Sequence, residues 1–246
     1  MSTSGDPERD QPHVLLPLLT SSADRLLDSA RSLTGEQMGE PSRLPGWTRA
    51  HVLVHLARGA DSRVRLLTAA RTGTDLPQYP DEETRAREIR QGALREAGEI
   101  SGDLEESVRG VLRAIAEHPG SAWDAPVRWL GGGMRPVRGV LWSLLREQEV
   151  HHVDLATTYL PHHWPDAFTT RELHETLTWL RKDPAMPPVR LRADEDGAVH
   201  CVGAGTGPLV AGSRADILAW LIGRGDGNTL TTGPAGALPV LPTWRQ

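Results

Sequence analysis

Before Pro161, apolar side chains recur at helical spacing in four stretches, which predicts four long helices. The fourth of them contains neither proline nor glycine. The third is rich in Glu and Arg, so we expect it to be more exposed, with charge pairs along a solvated face. The predicted helices run from Val14 to about Leu33, from a cap at Thr48 to a loop at 72–80, from Thr84 to about Glu117, and from Val140 to Tyr159.

The pattern changes at Pro161, where closely spaced prolines indicate a linker. Beyond it, shorter segments predict two helices and two strands, followed by a weakly alternating tail. We therefore expect an N-terminal four-helix bundle in residues 1–161 and a small α+β domain in residues 162–246. The segments are helix 170–180, strands 188–191 and 198–202, helix 213–221 capped by Ser213, and, in the first domain, a loop or short strand pair at 118–139 around Gly131–Gly133.

Composition narrows the class of protein. The 246 residues carry a formal net charge of -5, which argues against a general nucleic-acid binder. Cys201 is the single cysteine, so neither an intrachain disulfide nor a Cys-based zinc cluster can form. The polar N-terminus lacks the features of a secretory signal, and no apolar run approaches the ~20 residues that span a bilayer. We expect a cytoplasmic protein, independent of membranes, that is a monomer or a weak dimer.

Candidate chemistry lies on the fourth predicted helix. Glu147 and His151 are four residues apart and so project from one face, where they could grip one divalent cation. His55 on the second helix is the best third ligand. One carboxylate and two imidazoles leave a fourth position open on Zn²⁺, as catalytic sites do, although the set also suits Fe²⁺, Co²⁺ or Ni²⁺. In the alternative reading, Glu147 is a solvated charge like Glu149, and of His151 and His152 one is buried and one exposed.

Four runs carry a family resemblance. They are LPGWTRAHVLVHLARGADSRVRLL, Tyr79-Pro80 with the following EETRAREIRQGA, REQEVHHVDL, and GRGDG at 223–227. Together they resemble the mycothiol-dependent maleylpyruvate isomerase family, and the resemblance covers nearly the whole chain. It implies a DinB-like four-helix N-terminal domain and a small α/β C-terminal domain similar to sterol-carrier domains.

The resemblance also implies roles for individual residues. It makes His55, Glu147 and His151 the ligands of a Zn²⁺ ion or another divalent metal. Arg224 matches an arginine of the C-terminal domain that is held to reach the active site, although it could instead be a cation at a helix C-terminus. Tyr79 matches a tyrosine of the loop after the second helix and is a pocket candidate.

Two further histidines match positions that are not ligands in the family, and one glycine departs from the family pattern. His51 matches a histidine that is not a ligand and is expected to be structural, and His152 is not essential to the family pattern. Many family members carry Asn where this chain has Gly59. The missing amide and the loop at 131–133, which is particular to this chain, are two departures from the family pattern. We expect them to affect the choice of substrate more than the binding of the metal.

The implied activity uses mycothiol, whose sulfur becomes a metal-bound thiolate. The thiolate would add to the cis double bond of maleylpyruvate and leave after rotation, with Arg224 binding a substrate carboxylate. Three alternatives stay open. They are an S-transferase that joins mycothiol to a small electrophile, a non-catalytic small-molecule binding protein, and a hydrolase using metal-bound water, for which no general base is evident beyond the ligands.

Overall fold

The computed structural model describes residues 11–233 and 236–244. The chain divides into two compact units, Met1–Thr157 and Thr158–Gln246, whereas the sequence pattern places the boundary at 161. The described part of the first unit contains a short hairpin, one 3-10 turn at Gly120–Ala122 and six α-helices. The helices are α1 Pro12–Ser32, α2 Gly35–Gly39, α3 Arg49–Thr72, α4 Glu82–Gly92, α5 Ala97–Ala116 and α6 Gly139–Asp154.

Four of these helices form the bundle that the sequence predicts. Helix α1 packs against α5 and α6, and α3 packs against the same two helices. Their facing sides bury leucine, valine and alanine along their whole length, so the core runs down the middle of the four. In the part of the chain that the structure describes, no helix is both long enough and apolar enough to cross a membrane.

The predicted third helix is wrong in one respect. The segment forms two helices, α4 and α5, because the chain breaks between Gly92 and Ala97. A side chain at Gly92 would lie 2.7 Å from Val54, so glycine lets the end of α4 approach α3 closely. The exposed part of the segment is mainly α4, in which Ile89 is the buried residue, whereas the bundle position is taken by α5. The buried residues of α5 are Ile100, Leu104, Ser107, Val108, Val111, Leu112 and Ile115.

The predicted fourth helix is correct in position but too long. Helix α6 ends at Asp154, and Ala156 adopts a left-handed backbone conformation with φ of 54°. Arg49 of α3 reaches across to this end, where its Nε donates to the carbonyl of Leu155 at 2.7 Å and its Nη2 to that of Ala156 at 3.0 Å. The guanidinium thus satisfies carbonyls that the helix leaves unpaired.

The segment before α6 forms the strand pair that was expected as one of two possibilities. Strand β1, Pro126–Arg128, pairs in antiparallel fashion with β2, Met134–Pro136. Gly131 and Gly132 in the connecting turn have φ values of 86° and 83°, which glycine adopts at low cost. The hairpin returns the chain to the start of α6.

The second unit is a small sheet with helices, as predicted. Among the residues that the structure describes, the strands follow the order β4-β3-β5-β6, and only the central β3–β5 pair is parallel. Strand β5 was not predicted, and β6 lies within the tail that showed only weak alternation. The elements are helices α7 Asp166–Leu180 and α8 Arg214–Leu221, and strands β3 Val189–Ala193, β4 Val199–Val202, β5 Leu209–Gly212 and β6 Thr231–Gly233.

One apolar core holds the second unit together. Alternate residues of β3 point inward and meet the buried faces of α7 and α8. Leu177, Leu191 and Trp220 represent the three contributing elements. Ser213 caps α8 as predicted, accepting a hydrogen bond from the backbone N–H of Asp216.

Candidate metal centre

Helices α3 and α6 bring three side chains to one point. Nε2 of His55 lies 3.1 Å from Nε2 of His151 and 3.1 Å from Oε2 of Glu147. The distance between Nε2 of His151 and Oε2 of Glu147 is 3.7 Å. Within the described residues, these form the one group of histidine, cysteine and acidic side chains with metal-binding geometry. The sequence-based candidates therefore converge, from positions far apart in the chain.

The geometry fits a small divalent cation. Ligands about 2.1 Å from a tetrahedral ion lie roughly 3.4 Å from one another, and the three observed separations fall on either side of that value. Two imidazoles and a carboxylate are a suitable donor set for zinc and for several other transition metals. The residues therefore fit the metal that the resemblance implies.

Exposure differs among the three side chains. The His55 and His151 side chains are 8% and 2% exposed, whereas that of Glu147 is 27% exposed. The convergence point is thus enclosed on the imidazole side and reachable from solvent past the carboxylate. A site that opens on one side matches the arrangement of a catalytic metal rather than a closed structural one.

His151 is held in the form that a metal requires. Its Nδ1 lies 2.9 Å from Oδ2 of the buried Asp154. Since a carboxylate accepts, Nδ1 carries the proton and the lone pair is at Nε2, which faces the convergence point. Carboxylate–histidine pairs of this kind orient metal ligands in many proteins.

His55 has a different outer neighbour. Nη2 of Arg85, on α4, lies 3.1 Å from its Nδ1. Arginine can only donate, so Nδ1 accepts and the neutral ring carries its proton at Nε2, toward Glu147 and His151. Burial lowers the pKa of His55, against an opposing contribution from the hydrogen bond to Glu147. The ring is therefore neutral at physiological pH.

Glu147 is ionised and anchored. Burial alone would raise its pKa, but the guanidinium of Arg63 and the two imidazoles lower that pKa well below its usual range. Nη2 of Arg63 lies 3.4 Å from Oε1 of Glu147 and donates to Oγ of Ser143 at 2.7 Å. This arrangement leaves Oε2 facing the two imidazoles.

Gly59 makes room for that arginine. Nη1 of Arg63 donates to the carbonyl of Gly59 at 2.8 Å, and a Cβ at position 59 would lie 3.3 Å from the same nitrogen. The space beside the ligands is thus taken by a guanidinium. A larger residue at 59 would press on Arg63 and, through it, on Glu147.

The other sequence candidates lie in distinct places. The Tyr79 ring lies under the guanidinium of Arg85, with 5.4 Å between the Arg85 Cζ and the ring centroid, and is thereby connected to His55. Arg224 belongs to the second unit. Its Nη1 donates to the carbonyl of Ile222 just beyond α8, and its Cζ lies 5.3 Å from the Trp244 ring centroid.

Two neighbouring histidines have structural contacts. His51 completes the cap of α3, because its Nδ1 accepts from the backbone N–H of Thr48 at 3.3 Å. His152 is buried like His151, and its Nε2 lies 2.8 Å from Oγ of Ser29. The alternative reading, in which one of the paired histidines is exposed, is therefore wrong.

Glu149 corrects another expectation. It is not a solvated charge, because its side chain is fully buried and Oε1 lies 2.8 Å from Nη2 of Arg25 on α1. This ion pair connects α1 to α6, although the two residues are 124 positions apart in the sequence. Acidic residues on α6 thus all face protein groups rather than bulk water alone.

Four residues around the site were missed by sequence reasoning. Asp154 could have been found, because it follows His151 by three positions on the same helix and so lies on the same face. Trp47, whose ring centroid lies 5.5 Å from that of His55, belongs to the same motif as the ligand. Arg63 and Arg85 gave no local signal, since the ligands that they contact, Glu147 and His55, lie in other parts of the sequence.

Comparisons with known proteins agree with this architecture. The family model described as the mycothiol maleylpyruvate isomerase N-terminal domain matches residues 19–156. The model of the C-terminal domain of the same family matches residues 163–243. No curated protein matches the chain.

Solved structures give the same picture. Two crystal structures of the mycothiol-dependent maleylpyruvate isomerase, one of a histidine-to-alanine mutant, are similar with TM-scores of 0.88. Their identities are 26% for the isomerase and 25% for the mutant, with 95% of this chain and 97% of theirs covered.

A more distant structure shares the fold. YfiT from Bacillus subtilis, described as a probable metal-dependent hydrolase with an unusual four-helix bundle topology, has a TM-score of 0.52 at 16% identity. The match covers 63% of this chain and 89% of YfiT. The two family models together span most of the length of the present chain. The chain therefore belongs to the mycothiol maleylpyruvate isomerase family of enzymes.

Proposed function

We propose that this chain is a mycothiol-dependent maleylpyruvate isomerase whose divalent metal ion is held by His55, Glu147 and His151. The observation that carries the proposal is the convergence of these three side chains at a partly open point in the bundle. The overall similarity to solved structures of such isomerases supports the choice of reaction. Zinc is the preferred metal, because two imidazoles and one carboxylate with an open side suit a catalytic zinc ion.

The chain's own residues prepare the ligands. Asp154 keeps the proton of His151 on the outer nitrogen, so that the inner one is a lone-pair donor. Burial keeps His55 neutral. Arg63 keeps Glu147 ionised and turned toward the imidazoles. The positive charge of its guanidinium offsets the negative charge of the carboxylate. The surroundings of the metal are therefore more electropositive than the ligands alone would make them.

This electrostatic setting suits thiol chemistry. A divalent cation in the site supplies the charge that lowers the pKa of a bound thiol, so that thiolate exists at neutral pH. Mycothiol supplies reversible addition: the cis double bond of maleylpyruvate becomes a single bond, which can rotate before the thiol leaves and the trans isomer forms. The partners in this proposal are a low-molecular-weight thiol and a small unsaturated acid.

Two sequence predictions complete the proposal. Arg224 is the candidate for binding a carboxylate of the substrate with its guanidinium fork. Tyr79 is a candidate for the pocket wall, since its ring supports an arginine that contacts a ligand. Cytoplasmic location and a monomeric or weakly dimeric state remain predictions.

The test combines activity, metal content and product mass. The purified protein is incubated with maleylpyruvate and mycothiol before and after removal of its metal, and then after addition of Zn²⁺. We expect activity to require both thiol and metal, and the product to have the mass of the substrate. A product heavier by the thiol indicates an S-transferase instead. Full activity in verified metal-free protein overturns the proposal.

Matched variants locate the metal. Glu147→Gln keeps the size of the side chain but removes its charge, and we expect stoichiometric metal and activity to be lost together. Glu106→Gln, the same change at an exposed position of α5, serves as the control and should retain both. Metal retained in Glu147→Gln at the level of the control counts against the assigned ligand set.

A further inference from the structure

Arg85 occupies an unusual position beside the candidate ligands. It is half-buried on α4, and its Nη2 donates to the outer nitrogen of His55 at 3.1 Å. Its guanidinium lies over the Tyr79 ring, while its Nε is buried and has no hydrogen-bond partner among the residues that the structure describes. Among the same described residues, no carboxylate forms an ion pair with Arg85. The charge thus lies inside the protein wall without a counter-ion.

The contact with His55 conflicts with metal binding. A neutral imidazole that binds a metal through Nε2 carries its remaining proton at Nδ1. That proton would point at an N–H of Arg85, so that two donors would face each other. Metal ligands normally donate this outer N–H to a carboxylate, a carbonyl or water. Asp154 provides such an acceptor for His151, whereas Arg85 does not provide one for His55.

We propose that Arg85 is a substrate-binding residue that leaves His55 when Nε2 takes a metal ion and then binds a carboxylate of the unsaturated acid. The proposal rests on the proposed function for the identity of the anion. The released guanidinium stays on the wall of the site, because α4 packs against α3, which carries His55. Its unpaired charge and its fork of N–H groups suit a carboxylate.

Coupling follows from this exchange. As long as Arg85 donates to His55, it opposes the form of the ring that binds metal. Once metal is bound, the guanidinium is free to bind an anion next to it. Metal and substrate therefore bind cooperatively, and the anion site forms fully only beside the loaded metal.

The first measurement is metal affinity. We compare Arg85→Met with Arg90→Met, which makes the same change at an exposed position of the same helix. Zn²⁺ affinity is measured by competition with a chelator. We expect Arg85→Met to bind Zn²⁺ about tenfold more tightly than the unmodified protein, which is the low end of what outer partners of a ligand contribute. Arg90→Met should be unchanged.

A third variant guards against a folding defect. Arg85→Gln can offer its side-chain oxygen as the acceptor that His55 lacks, so it should bind Zn²⁺ at least as tightly as Arg85→Met. Affinity in both variants that equals or falls below that of the unmodified protein overturns the release of Arg85. This arm involves neither thiol nor substrate, so its result is independent of whether the chain is an isomerase.

The second measurement is anion binding by the zinc-loaded protein. Maleate, a simple cis-unsaturated diacid, is titrated by calorimetry. We expect Arg85→Met to bind it about tenfold more weakly than the unmodified protein, as loss of a charged hydrogen bond predicts, while Arg90→Met matches the unmodified protein. Equal affinity in Arg85→Met and Arg90→Met overturns the carboxylate role. If maleate behaves as expected but maleylpyruvate is not isomerised, the proposed function fails and the role of Arg85 stands.

Discussion

The two units of the chain bury different kinds of side chain. In the first unit, His55, Arg63, His151 and Asp154 are buried around one point, and each has a partner that fixes its proton or its charge. In the second unit, a core of leucine, valine and isoleucine lies between the sheet and its helices. Since buried charge costs free energy unless it is paired, a fold keeps such a network where it serves a purpose.

The difference shows where to look for function in this fold. The second unit also buries an arginine, Arg214, but its guanidinium contacts Asp166 at 2.6 Å and Asp196 at 3.2 Å. Those carboxylates use up the charge of Arg214 within the unit. In the first unit, charges converge on a shared point and leave donor atoms facing it. Convergence, rather than burial alone, distinguishes a ligand site from a structural ion pair.

The largest effect is expected from Leu177→Ala, which should change the second unit and leave the first unchanged. The side chain is 1% exposed in the core of the second unit, and its truncation should cost about 2 to 5 kcal/mol of that unit's stability. Hydrogen exchange of amides in 166–222 measures the loss. Zn²⁺ affinity should be unchanged, because all three proposed ligands belong to the first unit. Val199→Ala, at a position 53% exposed, is the control in the same unit.

A fall in Zn²⁺ affinity with Leu177→Ala would break the comparison. It would mean that packing in the second unit sets the ligand geometry of the first. The expected result is a loss of stability in the second unit with no change in the Zn²⁺ affinity of the first.

The next effect is expected from Asp154→Ala in the first unit. Without the carboxylate, His151 loses the group that holds its proton at Nδ1 and fixes its ring. Loss of such a partner typically weakens metal binding about 10- to 100-fold. Chelator competition with Zn²⁺ measures it. Affinity within twofold of the unmodified protein would show that packing alone orients His151.

A smaller effect concerns acid stability of the metal-stripped protein. Burial lowers the pKa of His55, so as pH falls below about 6.5 the unfolded chain binds a proton that the native ring does not. Stability from this group is therefore lost as pH falls, at no more than about 1.4 kcal/mol per pH unit. Urea unfolding between pH 7 and 5 should show the slope, and His55→Gln should reduce it.

Glu147 acts in a separate, lower window. Its pKa is lowered well below the usual value of 4.5, so its contribution is present above that value and is lost as pH falls through the native pKa. Glu147→Gln should therefore leave the slope between pH 7 and 5 nearly intact. If it removes that slope as completely as His55→Gln does, the two groups titrate as one unit.

The sequence predicted what local spacing controls. The four-residue step from Glu147 to His151 placed both on one face of a helix, and His55 followed as the best third residue. Spacing could not predict the burial of Glu149, because its partner Arg25 is 124 residues away. The same holds for Arg85, whose contact with His55 depends on how α4 packs. Pairing decided strand β5, which becomes recognisable only beside β3.

The smallest effect is expected from Thr48→Ala at the start of α3. Its hydroxyl accepts from the backbone N–H of His51 at 3.4 Å, and losing this cap should cost about 1 kcal/mol. His55 lies further along α3, where the surrounding residues are buried in the bundle, so Zn²⁺ affinity should not change. Thr34→Ala removes the corresponding cap of α2, which carries no ligand, and is the matched control. If Thr48→Ala weakens Zn²⁺ binding and Thr34→Ala does not, the start of α3 positions His55, and the local structure of the helix shares in the chemistry that the bundle's buried network otherwise provides.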